Sequence, residues 1–153
     1  MKKSTKFIIA LLVTVGALAI TYRVVNQAPS KDLAADAQMQ EIITSGGCLQ
    51  CHSGSPDLPF YANWPVASGM VQKDVTQGYR AFDMTEMAEA LKAGKPVGKV
   101  ALAKVEKVIM DGTMPKHAYY MVHWGSSVTD AKKEMAMAWV KQHRFCLLYT
   151  SDA

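Results

Sequence analysis

The sequence has few of the features that mark nucleic-acid-binding or zinc-binding proteins. It contains no arginine-rich stripe and no basic run with interleaved aromatic residues, which excludes the usual nucleic-acid footprint. Only three cysteines occur among its 153 residues, so the second ligand pair of a structural zinc site is missing. No segment alternates between apolar and polar residues as a half-buried strand does. The sequence therefore predicts an all-α protein of one domain plus a targeting segment.

The positive charge is concentrated at the N-terminus, around an apolar run. The formal net charge is +4, but Lys2, Lys3, Lys6 and Arg23 flank residues 7–22; without these four, thirteen basic residues balance thirteen acidic ones. A lysine-rich start followed by an apolar run is typical of a secretory signal. The run is also nearly long enough to span a bilayer, although residues 17–19 (Ala-Leu-Ala) offer a cleavage site. We expect an uncleaved anchor with the bulk of the protein on the periplasmic side of the bacterial cytoplasmic membrane.

The chain divides into four segments by composition. Residues 1–25 form the signal peptide or membrane anchor, 26–30 a linker, and 31–144 the main domain. Residues 145–153 (FCLLYTSDA) have no cap, charge pattern or amphipathic period. They resemble sequence appended to a truncated reading frame, so we expect the natural protein to continue differently after about Arg144. Cys146 would then have no functional meaning.

Five helices are predicted in the main domain from caps, glycines and apolar periodicity. The first is capped by Ser30 and ends at Gly46–Gly47, and the second covers 66–77 and is closed by Gly78. The third begins with the capping box Asp83/Glu86 and ends at Gly94, and the fourth covers 99–110 and is ended by Asp111–Gly112. The fifth is capped by Thr129, and Ala131, Met135, Ala138 and Trp139 share one of its faces.

The motif Cys48-Leu49-Gln50-Cys51-His52 carries the chemistry of the chain. C-x-x-C-H is the arrangement of c-type haem attachment: two thiols form thioethers with one porphyrin, and the adjacent imidazole is the proximal iron ligand. A thioredoxin-like pair would need a βαβ setting, and a tight Cys48–Cys51 disulfide would leave His52 unexplained. Because the motif follows an export signal, we favour one covalent haem c.

A sixth ligand to the iron is expected from the loop at residues 112–115. Met114 follows a predicted helix, and Pro115 disfavours helical geometry at Met114. A thioether ligand stabilises ferrous iron and suits electron transfer. His123 and His117 are weaker distal alternatives.

The sequence resembles the class I cytochrome c fold and, more closely, the exported haem-binding domain family. The resemblance covers about residues 32–144 and rests on Cys48–Ser53, Pro59–Ala62, Pro65–Val66, Asp74–Val75 with Gly78, Asp111–Pro115, Tyr120, His123 and Trp139. It implies a helical domain around one haem, with His52 as proximal and Met114 as distal ligand. Such domains are also similar to modules that precede di-haem cytochrome c peroxidases.

Three functions remain open at this point. The first is a mono-haem electron carrier, with a redox protein as donor or acceptor and with an aromatic loop (Phe60, Tyr61, Trp64) beside the haem. Six lysines lie near the Met114 loop in the sequence and would suit an acidic partner: Lys92, Lys95, Lys99, Lys104, Lys107 and Lys116. Such a set is also typical of a solvated surface. The second is an electron-donating or regulatory module of a di-haem peroxidase, or a haem sensor with an open distal site. The third is a membrane-tethered binding domain without a cofactor.

Overall fold

The computed structural model describes residues 3–150, with side chains described for residues 3–145, and most of these residues are helical. The α-helices are α1 (Lys3–Val25), α2 (Ala35–Ser45), α3 (Ser68–Ala81), α4 (Thr85–Lys92), α5 (Lys99–Asp111), α6 (His117–Val122) and α7 (Asp130–Thr150). Short 3₁₀ turns cover Cys48–Gln50, Phe60–Asn63 and Trp124–Ser126. No strand occurs between residues 3 and 150, which confirms the predicted all-α class.

The core lies between α2, α4, α5 and α7. α7 packs along both α5 and α2, and α4 packs on α2. Asp36 ties α2 to α7, because its Oδ1 accepts a hydrogen bond from Trp139 Nε1 and bonds His143 Nε2, both at 2.7 Å. The buried core residues are Met39, Ile42, Ile43, Met84, Met87, Leu91, Val97, Leu102, Val105, Ala136, Trp139 and Val140.

The α4 and α5 predictions hold to within one or two residues. α5 buries Leu102 and Val105 and ends at Gly112, whose φ of 60° is the left-handed conformation of a helix C-terminal glycine. α4 begins two residues after Asp83. Asp83 Oδ1 accepts hydrogen bonds from Thr85 N at 2.9 Å and Thr85 Oγ1 at 2.6 Å, and these bonds lower the pKa of Asp83.

Two predicted helix boundaries are wrong because local signals serve other purposes. Ser30 does not cap α2, which begins at Ala35; its Oγ instead accepts a hydrogen bond from Asp32 N at 3.2 Å, in a turn. α3 does not end at Gly78 but continues to Ala81. The glycine is needed inside this helix for close packing, as described below.

The predicted apolar face of α7 is buried only in part, at Trp139 and partly at Met135. Ala131 and Ala138 are exposed, whereas Lys132 is 1 % exposed. Lys132 Nζ donates to the Ser127 carbonyl at 3.2 Å and to Ser45 Oγ at 3.4 Å. Because burial disfavours the ammonium form, the pKa of Lys132 is lowered. An apolar periodicity could not place a lysine in the core.

The C-terminal part of α7 overlaps the predicted foreign tail. The helical backbone continues past Arg144 to Thr150, although the apolar periodicity is lost there. Residues 151–153 and the side chains from 146 onward, including that of Cys146, lie outside the described residues.

α1 is long and apolar enough to cross a membrane, and none of its residues is buried in the protein. Its end is nevertheless joined to the domain, because Asn26 is buried. Asn26 Nδ2 donates to the Trp124 carbonyl at 2.6 Å, and Ser127 N donates to Asn26 Oδ1 at 2.9 Å. Asn26, the first residue after α1, is therefore held against the turn at residues 124–126.

Candidate functional site

The C-x-x-C-H motif lies directly after α2, where the chain turns sharply. Gly47 has a φ of 65°, which favours glycine, and a Cβ at this position would clash with the Tyr119 hydroxyl. A 3₁₀ turn follows, in which Cys51 N and His52 N donate to the Cys48 carbonyl at 3.2 Å and 3.0 Å. This turn carries both thiols and the imidazole.

The two motif cysteines are free thiols in the structure. Burial raises the pKa of Cys48 to about 11 and also raises the pKa of Cys51. A catalytic thiol pair instead needs a lowered pKa, because the thiolate is its nucleophile. The environment of Cys48 and Cys51 thus disfavours thioredoxin-like chemistry.

His52 is held by residues 82–84, at the junction of α3 and α4. Its Nδ1 lies 2.8 Å from the Phe82 carbonyl oxygen, and Met84 N donates to the His52 carbonyl at 2.7 Å. A carbonyl oxygen only accepts hydrogen bonds, so Nδ1 must carry the proton. In the neutral ring Nε2 then has the free lone pair that an iron-ligating histidine needs.

α3 reaches the motif through Gly78. A Cβ at residue 78 would lie 2.5 Å from the Cys51 carbonyl oxygen and 2.9 Å from Cys51 Cβ. These distances are too short for any other residue at this position without movement of the backbone. Gly78 therefore lets α3 pack directly on the turn that presents Cys51 and His52.

A cavity of about 470 Å³ opens beside the motif. Cys48, Cys51, His52 and Met114 all line it, so the structure brings the four predicted site residues together. The other lining residues are largely apolar and include Met39, Ile42, Ile43, Phe82, Met84, Val105, Val108 and Ile109. The volume is within the usual range for cofactor sites, about 300–1,000 Å³. Two thiols, an imidazole, a thioether and apolar walls are a donor set that fits a haem.

The two alternative distal histidines are not among the residues that line this cavity. His123 Nε2 bonds the Tyr61 hydroxyl at 2.9 Å and His123 Nδ1 lies 3.1 Å from the Tyr119 carbonyl, so both ring nitrogens are engaged. The ring also stacks on Tyr119, with centroids 4.0 Å apart. His117 bonds the Tyr120 hydroxyl. These contacts favour Met114 over either histidine.

Tyr119 is a site residue that sequence reasoning missed. It lines the cavity and donates from its hydroxyl to Gln50 Oε1 at 2.7 Å. Burial raises the pKa of Tyr119 to about 12. Only its position two residues after His117 and near the predicted Met114 loop gave any signal. Tyr119 joins α6 to the motif, and His123 joins Tyr119 to Tyr61 of the aromatic loop.

Three of the six lysines near the Met114 loop line the cavity. Lys104 Nζ donates to the Ala81 carbonyl at 2.7 Å and lies 5.1 Å above the centre of the Phe82 ring. Lys116 pairs with Asp74 at 2.6 Å, and Lys107 pairs with Asp111 at 2.7 Å. The charged lining residues of the cavity thus include two ion pairs, because Asp74 and Asp111 line it as well, and Lys104.

Comparison with known proteins gives the family. The model of the haem-binding domain family matches residues 7–142. The chain belongs to this family. It is similar to the cytochrome c peroxidase Ccp of Escherichia coli (strain K12), with 36 % identity over 98 residues. That match covers 64 % of this chain but 21 % of the peroxidase, so the chain spans about a fifth of the length of this relative. No solved structure matches. The predicted family is confirmed, and the helical domain binds haem.

Proposed function

We propose that this haem-binding domain carries one covalent haem c and transfers single electrons. Cys48 and Cys51 would each hold the porphyrin through a thioether, with His52 and Met114 as the two axial ligands of the iron. The observation that carries the proposal is the single cavity lined by all four side chains. The haem, when bound, supplies a one-electron couple, and the protein supplies its position, ligands and surroundings.

Each of the four residues has a distinct task in this proposal. The Cys48 and Cys51 thiols, kept protonated by their raised pKa values, are the groups that become thioethers. The Phe82 carbonyl orients the His52 ring, and the soft Met114 sulfur favours the ferrous state. With both His52 and Met114 bound to it, the iron would have no position left for a substrate, which would separate a carrier from an oxygen- or peroxide-binding haem.

The location of the domain forms part of the proposal. α1 is mostly apolar after Lys6, has no residue buried in the protein and carries Lys3 and Lys6 at its N-terminal end. We assign it as an uncleaved anchor, with the haem domain on the periplasmic side of the cytoplasmic membrane. Its redox donor or acceptor is then another extracytoplasmic protein.

A second function is favoured by the similarity to a cytochrome c peroxidase. In that case the domain donates electrons to a di-haem peroxidase domain. Two electrons and two protons convert one hydrogen peroxide to two waters, so two turnovers of a one-electron donor are needed. Reduced protein should be reoxidised by peroxide quickly only when a di-haem peroxidase domain is added. Equally fast reoxidation by peroxide alone would instead indicate an open distal site.

The primary test uses the full chain expressed with haem-maturation machinery. A haem stain that survives denaturation is expected for the wild type and not for the Cys48→Ala/Cys51→Ala variant. Loss of stain in the wild type would refute covalent attachment. Oxidised protein should show a methionine-to-iron charge-transfer band that Met114→Ala lacks and Met110→Ala keeps, because Met110 is exposed and does not line the cavity. Rapid carbon monoxide binding to reduced wild-type protein would refute Met114 ligation.

A further inference from the structure

We infer that a corner of the domain, formed by Met121, Val122 and Trp124, lies in the interfacial layer of the membrane that α1 spans. Lipid headgroups and the outer ends of the acyl chains are then the partner of this surface. The inference rests on the anchor assigned above, and it concerns how the domain sits on the bilayer rather than how it binds haem. We call these three residues the lipid-facing corner.

The corner is physically continuous with α1. Asn26 bonds both the Trp124 carbonyl and Ser127 N, as described above. Tyr22, one turn earlier in α1, bonds Ser127 Oγ at 2.8 Å and packs edge-to-face on Trp124, with ring centroids 6.4 Å apart. These contacts join the end of α1 to Trp124 and to the neighbouring Ser127, so the two surfaces share one position relative to the bilayer.

The length of α1 sets the depth of the corner. Asn26 follows Lys6 by 20 residues, which at about 1.5 Å per residue corresponds to about 30 Å, the thickness of the hydrocarbon core. With Lys6 at the cytoplasmic boundary, Asn26 reaches the opposite boundary. Trp124 is bonded to Asn26 and therefore lies at the same level. Tryptophan and tyrosine are enriched at this level of membrane proteins.

The composition of the corner suits lipid. Met121 is 71 % exposed, Val122 68 % and Trp124 45 %, so apolar surface faces outward beside the end of α1. No lysine, arginine, aspartate or glutamate occurs from residue 117 to residue 129. Insertion at the interface therefore requires no desolvation of such a charge within this stretch. Lys132, which donates to the Ser127 carbonyl, is buried within the protein and does not face the corner's surroundings. Arg23 lies in the last turn of α1, and its long side chain can extend to the headgroups.

The consequence for the site is a defined orientation. α6 carries Met121 and Val122 as well as Tyr119, which lines the haem cavity. A domain held at both α1 and α6 cannot turn freely about a flexible tether. The haem cavity would then keep one height and one direction relative to the membrane surface.

Oxidative footprinting of the full chain tests the inference. The haem-loaded protein is placed in nanodiscs of phosphatidylcholine and phosphatidylglycerol, exposed to hydroxyl radicals, and analysed by mass spectrometry. Met110 is a matched control because it is 72 % exposed, almost the same as Met121, and lies on α5, which packs on α7. We expect Met121 to be oxidised several-fold more slowly than Met110. Equal rates in a chain whose mass includes α1 would overturn the inference.

A pair of variants separates lipid protection from other causes. Val122→Glu places a charge in the corner and should raise the Met121 rate towards that of Met110. Val66→Glu changes an exposed valine on the aromatic loop and should leave the ratio of rates unchanged. An unchanged ratio in Val122→Glu would assign the protection to the protein itself and refute lipid contact. A purified chain that lacks α1 would refute the inference through the anchor, while the haem stain and spectrum report on the electron carrier independently.

Discussion

Two glycines in the same helix should respond in opposite ways to replacement by alanine. Gly78 and Gly69 both lie in α3, and alanine has a better helix propensity than glycine by about 1 kcal/mol. A Cβ at residue 69 has nothing within 4 Å, whereas a Cβ at residue 78 would lie 2.5 Å from the Cys51 carbonyl oxygen. The environment, rather than the substitution, should therefore decide the sign of the change in stability.

The magnitude follows from these two terms. The atoms opposite Gly78 belong to the backbone and Cβ of Cys51, which cannot swing aside as a flexible side chain does. Overpacking of this kind costs about 1–3 kcal/mol, and a 2.5 Å contact belongs at the upper end of that range. After subtraction of the helix-propensity gain, Gly78→Ala should lower the free energy of unfolding by about 2 kcal/mol. Gly69→Ala should leave it unchanged or raise it by up to about 1 kcal/mol.

Urea unfolding of the haem-loaded full chain in detergent micelles measures both effects. Far-ultraviolet circular dichroism follows the helices, and the Soret band follows the haem environment. Both variants should keep similar denaturant dependence, so that the midpoints report stability. If Gly78→Ala proved as stable as Gly69→Ala, the close packing of α3 on Cys51 would be refuted.

Three further substitutions test contacts elsewhere in the domain. Asn26→Ala removes the acceptor of the Ser127 N–H bond, which should lower the free energy of unfolding by about 1–3 kcal/mol and speed hydrogen exchange at the Ser127 amide. Unchanged exchange would contradict the hydrogen bond between Asn26 and Ser127. The pKa of Tyr119 is raised to about 12 in the folded protein, so the unfolded chain loses the hydroxyl proton at lower pH than the folded protein does. The free energy of unfolding should therefore fall as pH rises from about 10 to 12, and it should fall less in Tyr119→Phe. The lowered pKa of Lys132 has the opposite effect, because the folded protein releases the ammonium proton at lower pH than the unfolded chain does. The free energy of unfolding should therefore rise with pH up to about 10.5. The urea midpoints of Lys132→Met should lack that rise.

Local signals were sufficient for much of the fold. The apolar stripe and terminal glycine of α5 are both contained in neighbouring residues, so its prediction was accurate. Ser30 and Gly78 show why other boundaries failed. The Ser30 hydroxyl bonds the Asp32 amide in a turn instead of capping a helix. Gly78 is required by its close contact with Cys51, 27 residues earlier in the sequence, and does not end a helix. On α7, Lys132 is buried while Ala131 and Ala138 are exposed, because Ser45 and Ser127 bond its ammonium group and compensate its burial.

The site shows the same division between local and distant information. Cys48, Cys51 and His52 form a motif that is readable in five residues, and Met114 was selected by its loop. The Phe82 carbonyl and Tyr119 belong to other elements and carry no motif of their own. The approach of the Phe82 carbonyl to His52, and of Tyr119 to Gln50, depends on packing across the whole domain. These distant contacts could be found only in the structure.

The contact between His52 and Phe82 also has a consequence for how the intervening chain can vary. It joins residues 30 positions apart, and the entropic cost of closing such a loop grows only slowly, by about 0.6 kcal/mol for each doubling of its length. Residues 54, 55, 57 and 58 within it are exposed. Extra residues inserted there would extend into solvent while Phe82 and Met84 remain packed beside the motif. We therefore expect this chain to accept insertions between the motif and α3 without a change in the direction of the histidine ring.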